Sequence, residues 1–248
     1  MNFYALFIQL KELYKKKGFL ALLFFLINGF NNVIIKKYIR GSFSQKGEDL
    51  ILEQIFKGKK KGFYIDVGAN DPDIFSNTKK FYLRGWRGIN IEPNPILLKK
   101  FVIKRKRDIN LNVGIGKKKY SAVFYEFEMN ALSTFSKKDM ENKIKLGCKL
   151  KKAYKVKIYR LEDIIKKFYK KKIDFITVDT EGMDFEVLRS NDWERFRPKA
   201  ICVETGDFWL IPQRSKNNKK RFIDRLMIKN GYEVFYSNDL NTIYVETD

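Results

Sequence analysis

Two apolar runs of the chain each end in residues suited to binding a nucleoside. The first run places Asp66 near its end, and Gly68 and Asn70 follow directly. Glycine lets the backbone turn tightly where a ligand must approach closely. The second run ends in Glu92, roughly 20 residues after the turn, where a carboxylate can accept hydrogen bonds from both ribose hydroxyls. The pair predicts a cofactor site at the ends of two neighbouring strands.

Two other nucleotide sites fit the sequence less well. Gly114-Ile-Gly116-Lys117 lacks the spacing of a phosphate-binding loop, and Lys118 stands where Ser or Thr is needed. A nicotinamide dinucleotide site would share the ribose carboxylate, but the first turn lacks the GxGxxG pattern that allows close helix packing at the pyrophosphate. The first turn instead resembles that of methyltransferases that use S-adenosylmethionine.

Three acids mark a second place for chemistry. Asp179 ends one apolar run and Glu204 ends the next, while Glu181 follows Asp179 closely. In a doubly wound sheet these strand ends reach the same crevice as the cofactor. The chain has no His, so a general base must be a carboxylate, Tyr, Lys or water. We expect Asp179 or Glu181 to act as base or to orient the acceptor, with Glu204 assisting. Carboxylates can also hold a divalent metal, but nothing in the sequence supports one.

Helical and extended patterns alternate from residue 41 onward. Ser44 is predicted to cap a first helix. Strands are predicted at 63–67, 88–91, 109–113, 120–127, 173–178 and 200–203, and helices at 76–83, 96–104, 161–169, 185–188 and 222–229. A closing hairpin is predicted at 232–236 and 242–245. This order indicates a Rossmann-like, doubly wound, mostly parallel sheet with an antiparallel edge hairpin.

The motifs together resemble the FkbM family of methyltransferases, in that family's order from about Ser44 to Glu204. The resemblance is carried by Ser44-Gln-Lys-Gly47-Glu-Asp49, Asp66-Val-Gly-Ala-Asn-Asp71, Ser76-Asn-Thr78 with Phe81-Tyr82, Gly85-Trp86-Arg-Gly88-Ile-Asn-Ile-Glu92-Pro93, Asp108-Ile-Asn-Leu-Asn112, Asp174-Phe-Ile-Thr-Val-Asp179-Thr-Glu181-Gly182, and Val187-Leu-Arg-Ser-Asn-Asp-Trp193 with Phe196-Arg-Pro198. The chain departs from the family pattern at two positions: Pro72 stands where many members have Gly, and Asp184 stands where Glu is usual.

The resemblance implies S-adenosylmethionine as methyl donor and O-methylation of a hydroxyl on a sugar or other metabolite. It implies that the turn of Asp66, Gly68 and Asn70 holds the methionine side of the cofactor. Glu92 would bind the ribose, and Asn112 would lie near the adenine. The resemblance further suggests cofactor contacts from Gln45, Glu48, Ser76 and Asn77, whose types also suit helix capping or surface hydrogen bonding.

The first forty residues differ from the remainder and are predicted to be helical. An apolar stretch, Phe19–Ile27, follows the lysines at 15–17, but Asn28 and Gly29 interrupt it before the length of a spanning helix. A short basic start and small-residue cleavage site, as in a signal peptide, are not evident. Two alternatives stay open: an interfacial membrane helix with basic flanks, or a helix packed on the domain formed by residues 41–248.

Composition limits the partners. The 248 residues carry a net charge of +22, which favours an anionic partner, yet lysines spread among Ile, Phe and Asn also occur on ordinary solvated faces. Cys148 and Cys202 form no CxxC pair, which fits a reducing cytosol. We therefore expect a cytoplasmic methyltransferase, at the inner face of a membrane or free of it, acting on a small-molecule or glycan acceptor. The alternatives are a nucleic-acid methyltransferase and a non-catalytic glycan-binding or membrane-binding protein with the same fold.

Overall fold

A computed structural model of the protein describes residues 41–169, 172–206 and 216–247, without the side chains of 216–218. The predicted N-terminal helices lie outside the described residues. Helices are α1 (Glu48–Ile55), α2 (Lys79–Leu83), α3 (Pro95–Lys104), α4 (Lys137–Lys145), α5 (Leu161–Phe168), α6 (Asp184–Arg189) and α7 (Lys216–Lys229). Strands are β1 (Phe63–Val67), β2 (Arg87–Ile91), β3 (Ile109–Leu111), β4 (Gly114–Ile115), β5 (Tyr120–Phe127), β6 (Leu150–Tyr159), β7 (Phe175–Val178), β8 (Ala200–Glu204), β9 (Tyr232–Ser237) and β10 (Asn241–Glu246).

Seven strands form one sheet in the order β3-β2-β1-β7-β8-β10-β9. The pairs from β3 to β8 are parallel, whereas β10 pairs antiparallel with both β8 and β9. The sheet reverses its direction of growth between β1 and β7, and at such a switch point the chain leaves a crevice at the carboxyl ends of the strands. The predicted Rossmann-like fold with its closing hairpin is confirmed.

Apolar residues cover both faces of this sheet. Ile65 and Val67 of β1 face a core completed by α5, α6 and α7, whereas Tyr64 faces a second core with α1 and α2. Alternate residues of a strand point to opposite faces, so a strand covered on both sides is apolar throughout. This explains why β1, β7 and β8 read as continuous apolar runs and why their ends are well fixed.

The first helix begins later than predicted. Gly47, in a left-handed conformation, precedes α1, and Ser44 lies three residues before it. Ser44 still serves the helix start, because its hydroxyl accepts hydrogen bonds from the backbone amides of Gly47 and Asp49. The Asp49 carboxylate in turn accepts hydrogen bonds from the Ser42 and Ser44 hydroxyls, which fixes the entering chain.

A small second sheet, in the order β4-β6-β5, was only partly foreseen. β5 was predicted, but neither β6 nor α4 was. Most of the first half of β6 is exposed and rich in lysine, so it lacks a clear apolar alternation. The polar α4 is started by the Ser136 side chain, which accepts a hydrogen bond from the Asp139 amide. Tertiary pairing therefore formed both elements where local pattern was weak.

No helix within the described ranges combines the length and apolar content needed to cross a membrane.

Candidate active site

The central strands end in register, which places their following residues in one row. Val67 pairs with Ile91 on one side and with Val178 on the other, and Val178 pairs with Val203. The residues that follow these four, in sheet order, are Glu92, Gly68, Asp179 and Glu204. Neighbouring strands lie about 4.8 Å apart, so the row extends over roughly 15 Å. Gly68, which has no side chain, lies in this row between Glu92 on one side and Asp179 and Glu204 on the other.

Glu92 is held in place by backbone amides. Its Oε2 accepts a hydrogen bond of 2.8 Å from the amide of Asn70, and its Oε1 accepts one of 2.7 Å from the amide of Asn94. Asn94 also caps α3 through the amide of Ile96. Burial raises the pKa of the nearly enclosed Glu92 to about 7, against the opposing effect of both amides. Each carboxylate oxygen keeps a lone pair for a further hydroxyl donor.

The turn after β1 contacts the turn after β7. Gly68 has a φ of +80°, and a side chain there would meet the carbonyl oxygen of Asp179 at 1.8 Å. The amides of Gly68 and Ala69 also donate to the carbonyl of Ile91. Asn70 and Glu181 adopt positive φ as well, which costs energy for residues other than glycine and is frequent at functional sites. The predicted bend after Val67 and the acid after Ile91 thus come together.

A cleft of about 680 Å³, including its open mouth, lies over this row. Gly68, Asn70 and Glu92 line one end, and Asp179 and Glu181 line the other. Between them the cleft is mostly apolar, with walls from Leu97, Val113, Ile115, Phe124, Phe135 and Met183. A cleft that is largely apolar with a few converging polar groups suits a small ligand with flat and polar parts.

Lysines neutralise two of the three acids beyond Gly68. One oxygen of each of Asp179, Glu181 and Glu204 lies within 4.8 Å of the others. Lys143 from α4 contacts Glu181 at 3.0 Å, and Lys219 from α7 contacts Glu204 at 2.9 Å. Asp179 has no hydrogen-bonding or ion-pair partner for its carboxylate within the described ranges.

The same arrangement shifts the acidity of these carboxyl groups. Asp179 is open to the cleft yet closely surrounded, and this desolvation, with the charges of Glu204 and Glu181, raises its pKa well above the ordinary value. Burial also raises the pKa values of Glu181 and Glu204, while the facing lysines oppose the rise. Of the three acids, Asp179 faces the cleft and has no lysine contact among the described residues. A ligand that enters the cleft therefore changes the protonation of Asp179 more directly than that of Glu181 or Glu204.

Three residues expected near the cofactor belong to a network beneath the turn and are not part of the cleft lining. Asp66 accepts a hydrogen bond of 2.7 Å from the Thr78 hydroxyl, and burial raises its pKa to about 6. The Ser76 hydroxyl accepts one from the guanidinium of the fully buried Arg105. Asn77 donates to the Thr177 hydroxyl. Their position supports the turn, and direct contact with a cofactor stays a prediction.

Asn112, Gln45 and Glu48 lie outside the cleft lining as well. The Asn112 amide donates to the carbonyls of Glu92 and Pro93, which fixes the backbone after β2. Glu48 is buried and accepts hydrogen bonds from Asn238 and Asn241. Gln45 is partly buried near the start of α1. The assignment of adenine to Asn112, and of cofactor contacts to the other two, likewise stays a prediction.

Sequence reasoning missed the cleft's apolar wall and both lysines. Phe124 and Phe135 reach the cleft through the small sheet, whose strand β6 was not predicted. Asn94 carried a usable signal, since Asn before Pro95 is a common helix start. The aromatic and basic residues between Phe208 and Lys220 follow Glu204 and predict a cover over the substrate, but Trp209, Gln213, Arg214 and the side chain of Lys216 lie outside the described residues.

A doubly wound sheet with a carboxylate and a glycine turn at its switch point defines a class of nucleoside-cofactor enzymes. Residues 66–234 match the family described as Methyltransferase FkbM domain, which covers more than half of the chain. The chain belongs to this family. It is a methyltransferase that uses S-adenosylmethionine.

Solved structures resemble the chain only distantly. Fibrillarin of Aeropyrum pernix with natively bound S-adenosyl-L-methionine has 12% identity and a TM-score of 0.42, over 82% of this chain and 74% of that one. The N-terminal domain of human METTL16 in complex with SAH has 12% identity and a TM-score of 0.43, over 80% of this chain and 67% of that one. A precorrin-6y C5,15-methyltransferase of Geobacter metallireducens has 12% identity and a TM-score of 0.40, over 82% of this chain and 89% of that one. No curated protein sequence matches the chain.

The residues present fit the methyl donor. Glu92 offers acceptor lone pairs for two ribose hydroxyls, and the apolar wall beside Leu97 and Phe124 suits a flat base. The Gly68 backbone lines the cleft between Glu92 and Asp179, so one ligand can contact both ends of the row. Acidic side chains at the Asp179 end complement the positive charge of a sulfonium.

Proposed function

We propose that the protein transfers a methyl group from S-adenosylmethionine to a hydroxyl of a sugar, glycan or glycolipid precursor. The observation that carries the proposal is the state of Asp179, a cleft-facing carboxylate with no lysine partner among the described residues, at the end of the strand next to the glycine turn. A neutral hydroxyl is a poor nucleophile unless a base receives its proton as it reacts. Asp179 has the position to do this, and its raised pKa makes the ionised carboxylate a stronger base than an ordinary aspartate.

The donor supplies an electrophilic methyl group, and the chain's residues align and deprotonate the acceptor. Asp179 receives the hydroxyl proton on a carboxylate oxygen. Glu181, which Lys143 fixes in the cleft lining, accepts a hydrogen bond from a neighbouring hydroxyl of the acceptor, and the buried Glu204, paired with Lys219, lies outside the lining and supports Asp179. A polyhydroxylated acceptor satisfies several carboxylates at once, whereas an apolar one leaves them desolvated at a cost. This favours a saccharide over an apolar metabolite.

The donor side is tested by calorimetry on the full chain with S-adenosylmethionine and S-adenosylhomocysteine. We expect one site for each, and no binding of either would exclude the enzyme in favour of a non-catalytic glycan-binding or membrane-binding protein. The acceptor side is tested with isotopically labelled donor and separate pools of polysaccharide, lipid-linked saccharide and RNA. Label should enter the saccharide pools as an O-methyl ether.

The base is tested by Asp179→Asn. Loss of a general base typically slows turnover by about 10² to 10⁴-fold, while donor affinity should stay nearly unchanged. Glu181→Gln should reduce turnover less, and Glu194→Gln, an exposed acid outside the cleft lining, is the control. Full activity in Asp179→Asn would contradict the assignment.

The charge of +22 motivates nucleic-acid methylation as the competing function. If the label entered RNA, and if the affinity for RNA fell steeply as the salt concentration rose, the acceptor would be a nucleic acid and not a saccharide. Attachment to the inner face of a membrane through residues 1–40 is also part of the proposal, and it would bring a lipid-linked acceptor close to the cleft.

A further inference from the structure

The outward face of α3 mixes large aliphatic side chains with lysines. Ile96 and Ile103 are 50% and 67% exposed, although residues of this size normally lose most of their surface on folding. Lys99, Lys100 and Lys104 are exposed on the same helix. Positions 96, 99, 100, 103 and 104 recur at helical spacing and share one side of the helix. We call these five residues the α3 face.

An exposed loop extends this surface. Lys100 forms an ion pair with Asp71 at 2.8 Å, and Lys104 forms one with Asp73. These pairs hold the loop beside α3, and the next two residues, Ile74 and Phe75, are about half exposed at 45% and 51%.

The surface keeps a net positive charge, although Asp71 and Asp73 of the loop pair with two of the three lysines of the α3 face. No acid occurs from Pro95 to Arg107, and Lys106 follows the helix in the next turn. Lys99 and Lys106 have no ion pair within the described residues. Exposed aliphatic side chains flanked by unpaired lysines therefore form one surface.

From these observations we infer that the α3 face and the adjoining loop bind an anionic lipid bilayer. Bilayer interfaces accept both components, since aliphatic side chains enter the acyl boundary while lysines meet anionic headgroups. A nucleic acid would use the lysines but gain little from exposed isoleucines. A symmetric contact with a second copy would set the lysines of one face against those of the other. Residues 1–40 contain one acid, Glu12, among several lysines, so they lack complementary charge.

The inference rests on a surface different from residues 1–40, and it deepens the proposed function by favouring a lipid-linked acceptor. Leu97 of the same helix lines the cleft, so the bilayer contact and the cleft lie on opposite sides of one helix's first turns.

The test is co-sedimentation of the full chain with vesicles of phosphatidylcholine alone or of equimolar phosphatidylcholine and phosphatidylglycerol. The wild type should bind the anionic vesicles and bind the neutral ones weakly. Ile96→Gln/Ile103→Gln and Lys99→Glu/Lys106→Glu should each weaken anionic binding by about tenfold or more. Matched controls are Ile228→Gln/Val234→Gln, which removes exposed apolar residues elsewhere, and Lys155→Glu/Lys157→Glu, which makes the same charge change. Both should stay within about twofold of wild type, because the contact is local.

Several outcomes would overturn the inference. Unchanged binding in the α3 variants would place the contact elsewhere, and equal loss in the controls would show that net charge alone is responsible. If the α3 variants kept vesicle binding but lost a dimer seen by light scattering, this face would contact a second copy of the chain. If they kept vesicle binding but lost thermal stability, the chain's own N-terminal segment would cover this face. Calorimetry with S-adenosylmethionine separates the two proposals, since the α3 variants should keep wild-type donor affinity.

Discussion

The two ends of the active-site row stabilise their buried carboxylates in different ways. Glu92 is held by backbone amides that belong to the turns next to it in the sheet. Glu181 and Glu204 are held by lysine side chains from α4 and α7. A backbone donor keeps its position as long as the turn is folded, whereas a lysine can be replaced or moved by changing a single side chain. Under the proposed function, the cofactor end at Glu92 is therefore fixed by the fold, and the acceptor end at Glu181 and Glu204 is adjustable.

The largest effect is expected where both ends meet, at Gly68→Ala. The new methyl group would collide with the Asp179 carbonyl, so we expect no measurable donor binding and a clear loss of stability. Gly85→Ala is the matched control, because Gly85 also has positive φ but no atom within 4 Å of the added carbon. It should lose only the backbone cost of about 1–2 kcal/mol, measured by thermal unfolding. Equal losses in both variants would mean that the two turns do not constrain each other.

The cofactor end alone is tested by Glu92→Gln. The amide group would face a backbone donor and lose a charged acceptor, so donor affinity should fall by about 10 to 100-fold. In the wild type, affinity should weaken as pH falls through about 7, because the raised pKa of Glu92 then converts the carboxylate to the acid. Calorimetry across this range should give a flat profile for the variant. Asp71→Asn, which removes an acid from the neighbouring loop, should change neither affinity nor profile.

The adjustable end is tested by Lys219→Met. Lys219 lies 2.8 Å from Asp184 and 2.9 Å from Glu204, and its charge lowers the pKa values of Asp179 and Glu204. Without it these pKa values rise, so the pH at which turnover increases should move upward while donor affinity is kept. Lys219→Arg should restore the wild-type profile. A variant that is folded, by its thermal transition, yet has an unmoved profile would remove Lys219 from a positioning role.

The smallest effect is expected beneath the turn, at Thr78→Val. The Thr78 hydroxyl donates to Asp66, and its loss should cost about 1 kcal/mol while Asp66 is ionised. Because the pKa of Asp66 is raised to about 6, the cost should be full above that pH and should shrink below it. Thr247→Val, which removes an exposed hydroxyl, should cost little at any pH. Unfolding measured on both sides of pH 6 decides between these outcomes.

The same contrast explains what the sequence could predict. Gly68 and Glu92 follow strands that are covered on both faces, so apolar runs and their spacing predicted that these two residues come together, at what the proposal treats as the cofactor end. Asp179 and Glu204 were found for the same reason. Lys143 and Lys219 could not be found, because α4 has a mostly polar sequence and was not predicted, and the helix predicted for α7 began only at Phe222. Only the folded structure shows which of the three acids has no lysine partner among the described residues.

Helix starts were harder to place than strands. Ser44 and Ser76 have the right type for capping, yet α1 and α2 begin several residues later because the intervening residues form turns. The Ser76 hydroxyl accepts a hydrogen bond from the amide of Lys79 at the start of α2 and another from the Arg105 guanidinium. A polar side chain in a loop has several possible hydrogen-bond partners of similar strength, and tertiary packing decides which of them it contacts.

The position of β10 affects the order in which the domain can assemble during synthesis. β10 follows β9 along the chain but lies between β8 and β9 in the sheet. β9 therefore has no strand to join until β10 has left the ribosome. Until then the edge of β8, which carries Glu204, is unpaired and open to wrong partners. A nascent chain should accordingly become resistant to proteolysis late and in a single step, when this strand inserts.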